Sequence, residues 1–156
     1  MLFEQFLPAE TTGRPAAYLL VRIMVGSVFL SEGIQKFLFS DALGVGRFVR
    51  IGIPSPGISA PFVGIVEIAC GLLVLAGLFT RFASLLLMIN ILVAIATTKI
   101  PILIEKGFWS MAHEARTDWC MLLGSLVLVF VGGGSWSADS YFKIHSGRNA
   151  EAAGSS

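Results

Sequence analysis

The sequence predicts an all-α membrane protein: a four-transmembrane-helix antiparallel bundle, with a short amphipathic interfacial segment between helices 1 and 2. Of the 156 residues, 55% are hydrophobic and only 13% are charged, which is about half the charged share of an ordinary soluble domain. Several runs of about 20 mostly apolar residues follow one another along the chain, each long enough to cross a bilayer. A very short turn joins the second run to the third, which makes these two helices antiparallel neighbours.

The predicted membrane domain covers residues 16–142. Its four predicted spans are residues 16–38, 58–80, 82–104 and 119–138. Span two carries Glu67 as its only charge, span three is uncharged until Lys99, and span four has no charged residue. Span one is less uniform because it also contains charged residues of both signs.

The connection between the first two spans, residues 39–57, has a mixed character. It places Phe48 and Ile51 beside Arg47 and Arg50. Apolar and basic side chains that alternate in this way are typical of a segment lying at the membrane interface. We therefore expect a short amphipathic segment there.

Four spans place both chain termini on one side of the membrane, here called side A. The opposite side, side B, then holds residues 39–57 and a charged loop predicted at residues 105–118. Residues 1–15 are predicted as an N-terminal extra-membrane segment. Residues 143–156 are small and polar, which predicts a disordered tail.

Four charged side chains within the spans are predicted to lie in the half of the membrane near side B. The helical rise of about 1.5 Å per residue places these four there: Glu32, Lys36, Glu67 and Lys99. Because a charge near the bilayer centre costs about 2.5–3.5 kcal/mol on insertion scales, each of them needs a partner or a use. We expect a polar pocket between spans one, two and three that opens to side B. Glu32 and Lys36 are four residues apart and are predicted to form a helical ion pair.

Two interpretations of this pocket stay open. In the functional one, Glu67 is a catalytic proton carrier and Glu32 relays protons to side B. The candidate ligand-binding residues are Arg22, Lys36, Lys99, His113 and Asp118. In the structural one, a pair between Glu67 and a lysine only clamps the helices together, and Lys36 or Lys99 snorkels to the surface. Asn90 is assigned to the half near side A, as a contact to an adjacent helix.

Charge and cysteine content argue against several other functions. The formal net charge of +1, with no basic block, leaves no electrostatic footprint for a nucleic acid. Cys70 and Cys120 lie in separate apolar runs and form no CxxC motif, so neither a metal site nor a disulfide is predicted. The sequence contains no motif for a haem, a flavin or an iron–sulfur cluster. In any redox reaction of this chain, the electrons would therefore come from a partner or directly from substrate.

Several short motifs follow one another along the chain. The first-span motif has alternating intervals of four and three residues, at Arg22, Gly26, Phe29, Gly33 and Lys36. The later motifs are Phe48, Gly52-Ile53-Pro54, Glu67-x-x-x-Gly71, Gly77-Leu78-Phe79-Thr80-Arg81, Gly132-Gly133-Gly134 and Ser135-Trp136-Ser137-Ala138-Asp139. Taken in order, these motifs resemble the DoxX family of four-helix bacterial membrane proteins. The chain departs from the family at Ala138, where Leu is common, and in the heavy charge of residues 113–118.

The resemblance implies a redox-associated subunit of the bacterial inner membrane. Relatives in this family include the quinone-reducing subunit of a thiosulfate:quinone oxidoreductase and proteins linked to membrane redox-stress complexes. We therefore expect a quinone-interacting subunit of an oxidoreductase complex, with quinone as co-substrate and soluble or membrane redox proteins as partners. Both termini are placed on the cytoplasmic side, although the basic residues are divided too evenly between the two sides to decide the orientation.

Two other functions stay open from the sequence. A non-catalytic anchor would hold soluble redox proteins on side B, through residues 39–57 and 105–118. A small-solute transporter would need a homo-oligomer, because four helices leave little room for a pathway, and the glycine faces of spans one and two permit contacts between protomers. Whether the chain is itself an enzyme is therefore left open at this stage.

Overall fold

The computed structural model describes residues 15–141, and this part of the chain contains helices and turns but no strand. The helices are α1 (Pro15–Leu38), α2 (Val45–Arg50), α3 (Pro56–Ala76), α4 (Thr80–Lys106), α5 (Phe108–Glu114) and α6 (Arg116–Val131). Three of them, α1, α3 and α4, are long and apolar enough to cross a membrane. Apart from Pro15, the predicted N-terminal segment and the predicted tail lie outside the described residues.

The four longer helices enclose one apolar core. Helix α1 packs against α3 and α6, and α4 packs against the same two helices. The core holds at least two side chains from each helix: Val25, Phe29, Cys70, Val74, Ala83, Leu87, Ile91, Met121 and Leu128. Large apolar side chains also cover the outside, with Phe62 64% exposed and Phe130 72% exposed. An apolar exterior of this extent is the surface that a membrane protein presents to lipid.

Glycines let α1 and α3 approach each other closely. A Cβ atom added at Gly33 would lie 2.7 Å from the carbonyl oxygen of Gly64 and 3.0 Å from Cβ of Glu67. A Cβ at Gly71 would lie 3.0 Å from the carbonyl oxygen of Gly26. Because these glycines pack within one chain, their presence gives no separate support for the homo-oligomer, which stays a prediction.

The end of the molecule on side A is held together by Arg22, which is only 2% exposed. Its Nε and Nη2 atoms donate to the carbonyl oxygens of Val74 and Leu75 at 2.9 and 2.6 Å. Its Nη1 atom donates to the carbonyl oxygens of Trp136 at 2.6 Å and Gly133 at 3.3 Å. Carbonyls near a helix C-terminus lack amide partners within the helix, so Arg22 caps α3 and fixes the segment after α6 against it.

Asp139 has the matching role at the start of α4. Its carboxylate accepts hydrogen bonds from the backbone amides of Phe79 at 2.8 Å and Thr80 at 3.1 Å. Phe79 has a φ of 47°, in the left-handed region that bulky residues rarely adopt. A carboxylate is also favoured electrostatically at a helix N-terminus. The two motifs that follow α3 and α6, at residues 77–81 and 132–139, therefore contact each other at this end of the molecule.

The structure corrects the predicted end of span two and the position of the turn that follows it. Helix α3 ends at Ala76 rather than at residue 80. Gly77 adopts a left-handed φ of 72°, and a Cβ there would lie 2.5 Å from Nη2 of Arg22. The turn therefore occupies residues 77–79, earlier than the sequence predicted.

The predictions at the other end of the chain also need correction. Helix α6 ends at Val131 instead of residue 138, because Gly132 follows with a φ of 82° and begins a non-helical segment. The predicted loop at residues 105–118 is wrong as well. Its first residues continue α4, Phe108–Glu114 forms α5, and its last residues begin α6. Only the breaks at Gly107 and Ala115 separate these helices.

The segment between α1 and α3 contains a short helix, α2, within the predicted residues 39–57. It buries Phe48, 7% exposed, and leaves Val49 60% exposed. Arg50 donates to the carbonyl oxygens of Asp41 and Ala42 at 3.0 and 2.7 Å. These bonds hold α2 against the turn that precedes it, at the end of the molecule on side B.

The α1–α3 contact predicts the effect of adding one methyl group. Gly33→Ala is expected to lower the free energy of unfolding by about 1–3 kcal/mol, because a Cβ there meets backbone that cannot shift cheaply. Gly57→Ala is the matched control, since no atom lies within 4 Å of a Cβ at that position. Thermal unfolding of the detergent-solubilised variants measures the difference. Equal melting temperatures for the two variants would contradict the close packing described above.

Candidate functional site

The centre of the candidate site is the carboxylate of Glu67, which is 4% exposed in the middle of α3. Its Oε2 atom accepts a hydrogen bond from Nζ of Lys36 on α1 at 2.6 Å, forming a buried ion pair. Its Oε1 atom accepts one from Nδ2 of Asn90 on α4 at 2.7 Å. Three helices therefore each supply one member of a hydrogen-bonded network, hereafter the Glu67 network (Lys36, Glu67 and Asn90). Lys36 also lies in the last turn of α1, where the helix dipole favours a cation.

Asn90 was predicted to contact an adjacent helix near side A and was not predicted as a member of this site. Glu67 lies nine residues before the end of α3 at Ala76, and Asn90 lies ten residues after the start of α4 at Thr80. In an antiparallel pair joined by a short turn, residues equally far from the turn lie at the same height. Measuring both heights from the turn, rather than from opposite membrane surfaces, would have placed this amide beside the carboxylate.

The predicted ion pair between Glu32 and Lys36 is wrong. Lys36 points to Glu67 instead, and the Glu32 side chain is exposed. Among the described residues Glu32 forms no ion pair. The buried carboxylate of Glu67 gains more from the ammonium group than the exposed carboxylate of Glu32 does, because desolvation makes an unpaired buried charge costly.

A second ion pair lies nearer side B. Nζ of Lys99 on α4 is 3.1 Å from Oδ2 of Asp118 on α6, and their side chains are 11% and 21% exposed. Asp118 is in the first turn of α6, where the helix dipole stabilises a carboxylate. The pair therefore joins α4 to α6 at the end of the molecule where α1 and α3 are joined by Lys36 and Glu67.

Both ion pairs line one cavity of about 400 Å³. Its apolar wall includes Val28, Phe29, Val63, Ile91 and Met121. Its polar wall includes Glu32, Lys36, Glu67, Asn90, Lys99 and Asp118. Residues of the α2 region, with Phe48 among them, cover it on side B. The predicted polar pocket thus exists between α1, α3 and α4, and α6 closes it.

Two predicted site residues do not reach this cavity. Arg22 lies on side A, and the hydrogen bonds given for it go to backbone carbonyls. His113 is exposed on α5, where a ring nitrogen lies 3.2 Å from Nη1 of Arg116. The remaining candidates, which are Glu67, Glu32, Lys36, Lys99 and Asp118, all line the cavity.

This arrangement combines three chemical properties. The apolar wall accommodates a flat or branched hydrophobic ligand. The ammonium groups of Lys36 and Lys99 place positive charge at a polar oxygen of such a ligand. The carboxylates of Glu67 and Glu32 can each take up a proton, and the side chain of Glu32 is exposed while that of Glu67 is buried.

These features define a helical integral membrane protein with a cavity, polar on one wall, near one end of its helices. The DoxX family model matches residues 17–100, which extend from α1 through most of α4 and include the whole Glu67 network. The chain belongs to the DoxX family.

Three relatives extend the similarity beyond that range. An uncharacterized membrane protein of Mycobacterium tuberculosis is 51% identical over 131 residues, covering 80% of each chain. "Putative oxidoreductase CatD" of Bacillus subtilis is 29% identical over 123 residues, covering 79% of this chain and 84% of that one. An uncharacterized protein of Haemophilus influenzae is 28% identical over 131 residues. No solved structure gives a significant match.

The Glu67 network predicts a non-additive effect on stability. Lys36→Met leaves a buried carboxylate without its counter-charge and is expected to cost about 3–5 kcal/mol of unfolding free energy. Adding Glu67→Gln should recover most of that loss, because the neutral amide keeps an acceptor for Asn90 and carries no charge. Denaturant titration of the single and double variants in bicelles measures the coupling.

Glu32→Gln is the control for this cycle, because Glu32 is exposed and is expected to change stability by less than about 0.5 kcal/mol. A double variant whose loss of unfolding free energy equals the sum of the losses of the two single variants would show that the two side chains do not depend on each other.

Proposed function

We propose that the protein is a quinone-binding membrane subunit of an oxidoreductase complex, in which Glu67 carries protons to and from the bound quinone. The observation that carries this proposal is the position of the Glu67 carboxylate, which is buried at a cavity with one apolar and one polar wall and is bonded to two other helices. An intramembrane carboxylate facing a cavity is a functional candidate by default.

The cavity suits the ring of a quinone in size and in lining. Ligand pockets commonly hold about 300–1,000 Å³, and this one holds about 400 Å³. A quinone ring needs an apolar slot with a hydrogen-bond donor near each carbonyl oxygen. Val28, Phe29 and Ile91 supply apolar surface, and Lys36 and Lys99 supply ammonium donors from two different helices.

The reaction proposed is quinone plus two electrons plus two protons giving quinol. The electrons come from a partner redox protein that carries a flavin or a metal centre, and the protons come through this chain. Glu67 accepts a proton that Glu32 relays from water on side B. Once Glu67 is neutral, it no longer holds Lys36 in an ion pair, and the ammonium can donate to the oxygen that gains negative charge.

A relative named as an oxidoreductase supports a redox role at the level of the family. The 29% identity with that relative extends over 79% of this chain, well beyond the residues that the family model matches. The name gives no substrate, so the choice of quinone rests on the cavity and on the resemblance described above.

The same proposal makes α6 the fourth transmembrane helix. Its 16 residues span about 24 Å at a rise of 1.5 Å per residue, and the segment that follows covers the remaining depth of the hydrocarbon core, which is about 30 Å thick. No charged residue occurs from Trp119 to Val131. This arrangement places both termini on side A, which we assign to the cytoplasm of the bacterial cell.

Quinone binding tests the role of the carboxylate. In nanodiscs, quinone should quench the tryptophan fluorescence of the wild-type protein in a saturable manner. Glu67→Gln is neutral, like protonated Glu67, and leaves Lys36 free to donate to the quinone oxygen, so it should tighten that binding about tenfold, the gain from one charge-assisted hydrogen bond. Glu105→Gln is the matched control because Glu105 is exposed near the end of α4. Equal binding by the wild type and by both variants would exclude Glu67 from the site and favour the non-catalytic anchor.

A bulky side chain in the cavity tests the binding site independently of charge. Ala94 lines the cavity, whereas Ala96 on the same helix is exposed on the lipid-facing side. Ala94→Phe should abolish quinone quenching, because the ring occupies the space the ligand needs. Ala96→Phe should leave the quenching unchanged. Similar quenching by the two variants, each shown to be folded by circular dichroism, would place the ligand elsewhere.

A further inference from the structure

A second, open cavity lies on the outside of the molecule, in the seam between α2 and α4. It holds about 520 Å³. Arg47, Arg50 and Ile51 line it from the side of α2, and Thr97, Thr98 and Pro101 line it from α4. Arg47 also lines the proposed quinone cavity, but the proposed quinone reaction gives no role to Arg47 or to Arg50.

Arg47 differs from the other buried or half-buried cations in the described part of the chain. Lys36 and Lys99 each have a carboxylate partner, and Arg22 donates to backbone carbonyls. Arg47 is half-buried, yet within residues 15–141 it has no ion pair and no hydrogen bond from its side chain. A half-buried guanidinium without a partner is unfavourable, so an anion that enters the seam would be bound.

The two arginines are spaced to bind one anion together. Arg47 and Arg50 are three residues apart on one helix, so their side chains lie on the same face. Arg50 already uses Nη1 and Nη2 to hold the carbonyls of Asp41 and Ala42, which fixes its guanidinium at the seam. Guanidinium groups bind phosphate oxygens through paired hydrogen bonds and are preferred over lysine for this purpose.

The opposite wall of the seam offers an anion few competing donors. Thr97 donates its hydroxyl hydrogen to the carbonyl oxygen of Val93 at 2.8 Å, and Thr98 donates to that of Ala94 at 2.6 Å. Pro101 has no amide hydrogen. The arginines of α2 are therefore the donors that face the seam.

We propose that the seam binds the phosphate of an anionic phospholipid from the leaflet on side B, with Arg47 as its main contact. The surfaces beside the seam are apolar, with Val49 60%, Ile100 49% and Ile104 78% exposed. An acyl chain can lie along this part of α4 while the headgroup stays at the level of α2. Free phosphate would find the same arginines but would gain nothing from the apolar surface. The seam adjoins the quinone cavity, because Thr97 and Thr98 line both, but this proposal does not depend on the quinone reaction.

Lipid retention tests this proposal. The full-length protein is reconstituted in nanodiscs of phosphatidylcholine alone or with an equimolar share of phosphatidylglycerol, extracted in mild detergent and examined by native mass spectrometry. The wild type should retain phosphatidylglycerol in preference to phosphatidylcholine. Arg47→Gln should reduce that preference about tenfold, as expected for one lost charge-assisted hydrogen bond. Arg116→Gln, which removes the same charge from an exposed residue of α6, should retain the preference.

Each other outcome overturns the proposal. Equal loss in both variants would indicate non-specific attraction of anionic lipid to side B. The absence of any preference in the wild type would exclude a lipid site without relying on a folded variant. Displacement of the lipid by inorganic phosphate at similar concentration would show that the seam takes a free anion rather than a phospholipid.

Discussion

The burial of one carboxylate among three helices is the constraint on which this structure depends. A charge at the depth of Glu67 must be neutralised within the protein, because the bilayer core offers no water to solvate it. Lys36 supplies the opposite charge and Asn90 supplies a further donor, so α1 and α4 are both tied to α3. Gly33 makes this geometry possible, since a Cβ there would lie 3.0 Å from Cβ of Glu67. The glycine contacts between α1 and α3 and the buried ion pair are therefore parts of one arrangement.

The two ends of the molecule use charge differently. On side A, Arg22 and Asp139 are bound to the backbone at the end of α3 and the start of α4, so they complete helix ends. On side B, Lys36 and Lys99 pair with carboxylates at the wall of a cavity. The first kind of contact supplies hydrogen-bond partners to the backbone amides and carbonyls that have none within the helix at its ends. The second kind leaves ionisable side chains at the wall of a cavity, which is why the proposed chemistry belongs to side B.

Much of this organisation follows from hydropathy and spacing. Hydropathy predicted the three longest helices and the short helix between residues 39 and 57. It was also possible to predict that Lys36, Glu67 and Lys99 lie together near side B, because an unpaired charge in a bilayer is energetically costly. The pairing itself was not predictable. Lys36 had two carboxylates within reach, and the choice of Glu67 depends on how closely Gly33 lets α1 approach. Helix ends were misplaced where a glycine with positive φ, such as Gly77 or Gly132, stops a helix inside an apolar run.

If Glu67 carries protons, its carboxyl group changes its protonation state when quinone is reduced. Infrared difference spectra of the quinone-loaded protein, recorded between the oxidised and reduced states, measure this directly through the carbonyl stretch of a protonated carboxyl group. A carboxyl band should be present in the wild type, disappear in Glu67→Gln and stay in Glu105→Gln. An identical band in all three proteins, or no band in the wild type, would contradict a proton-carrying role for Glu67.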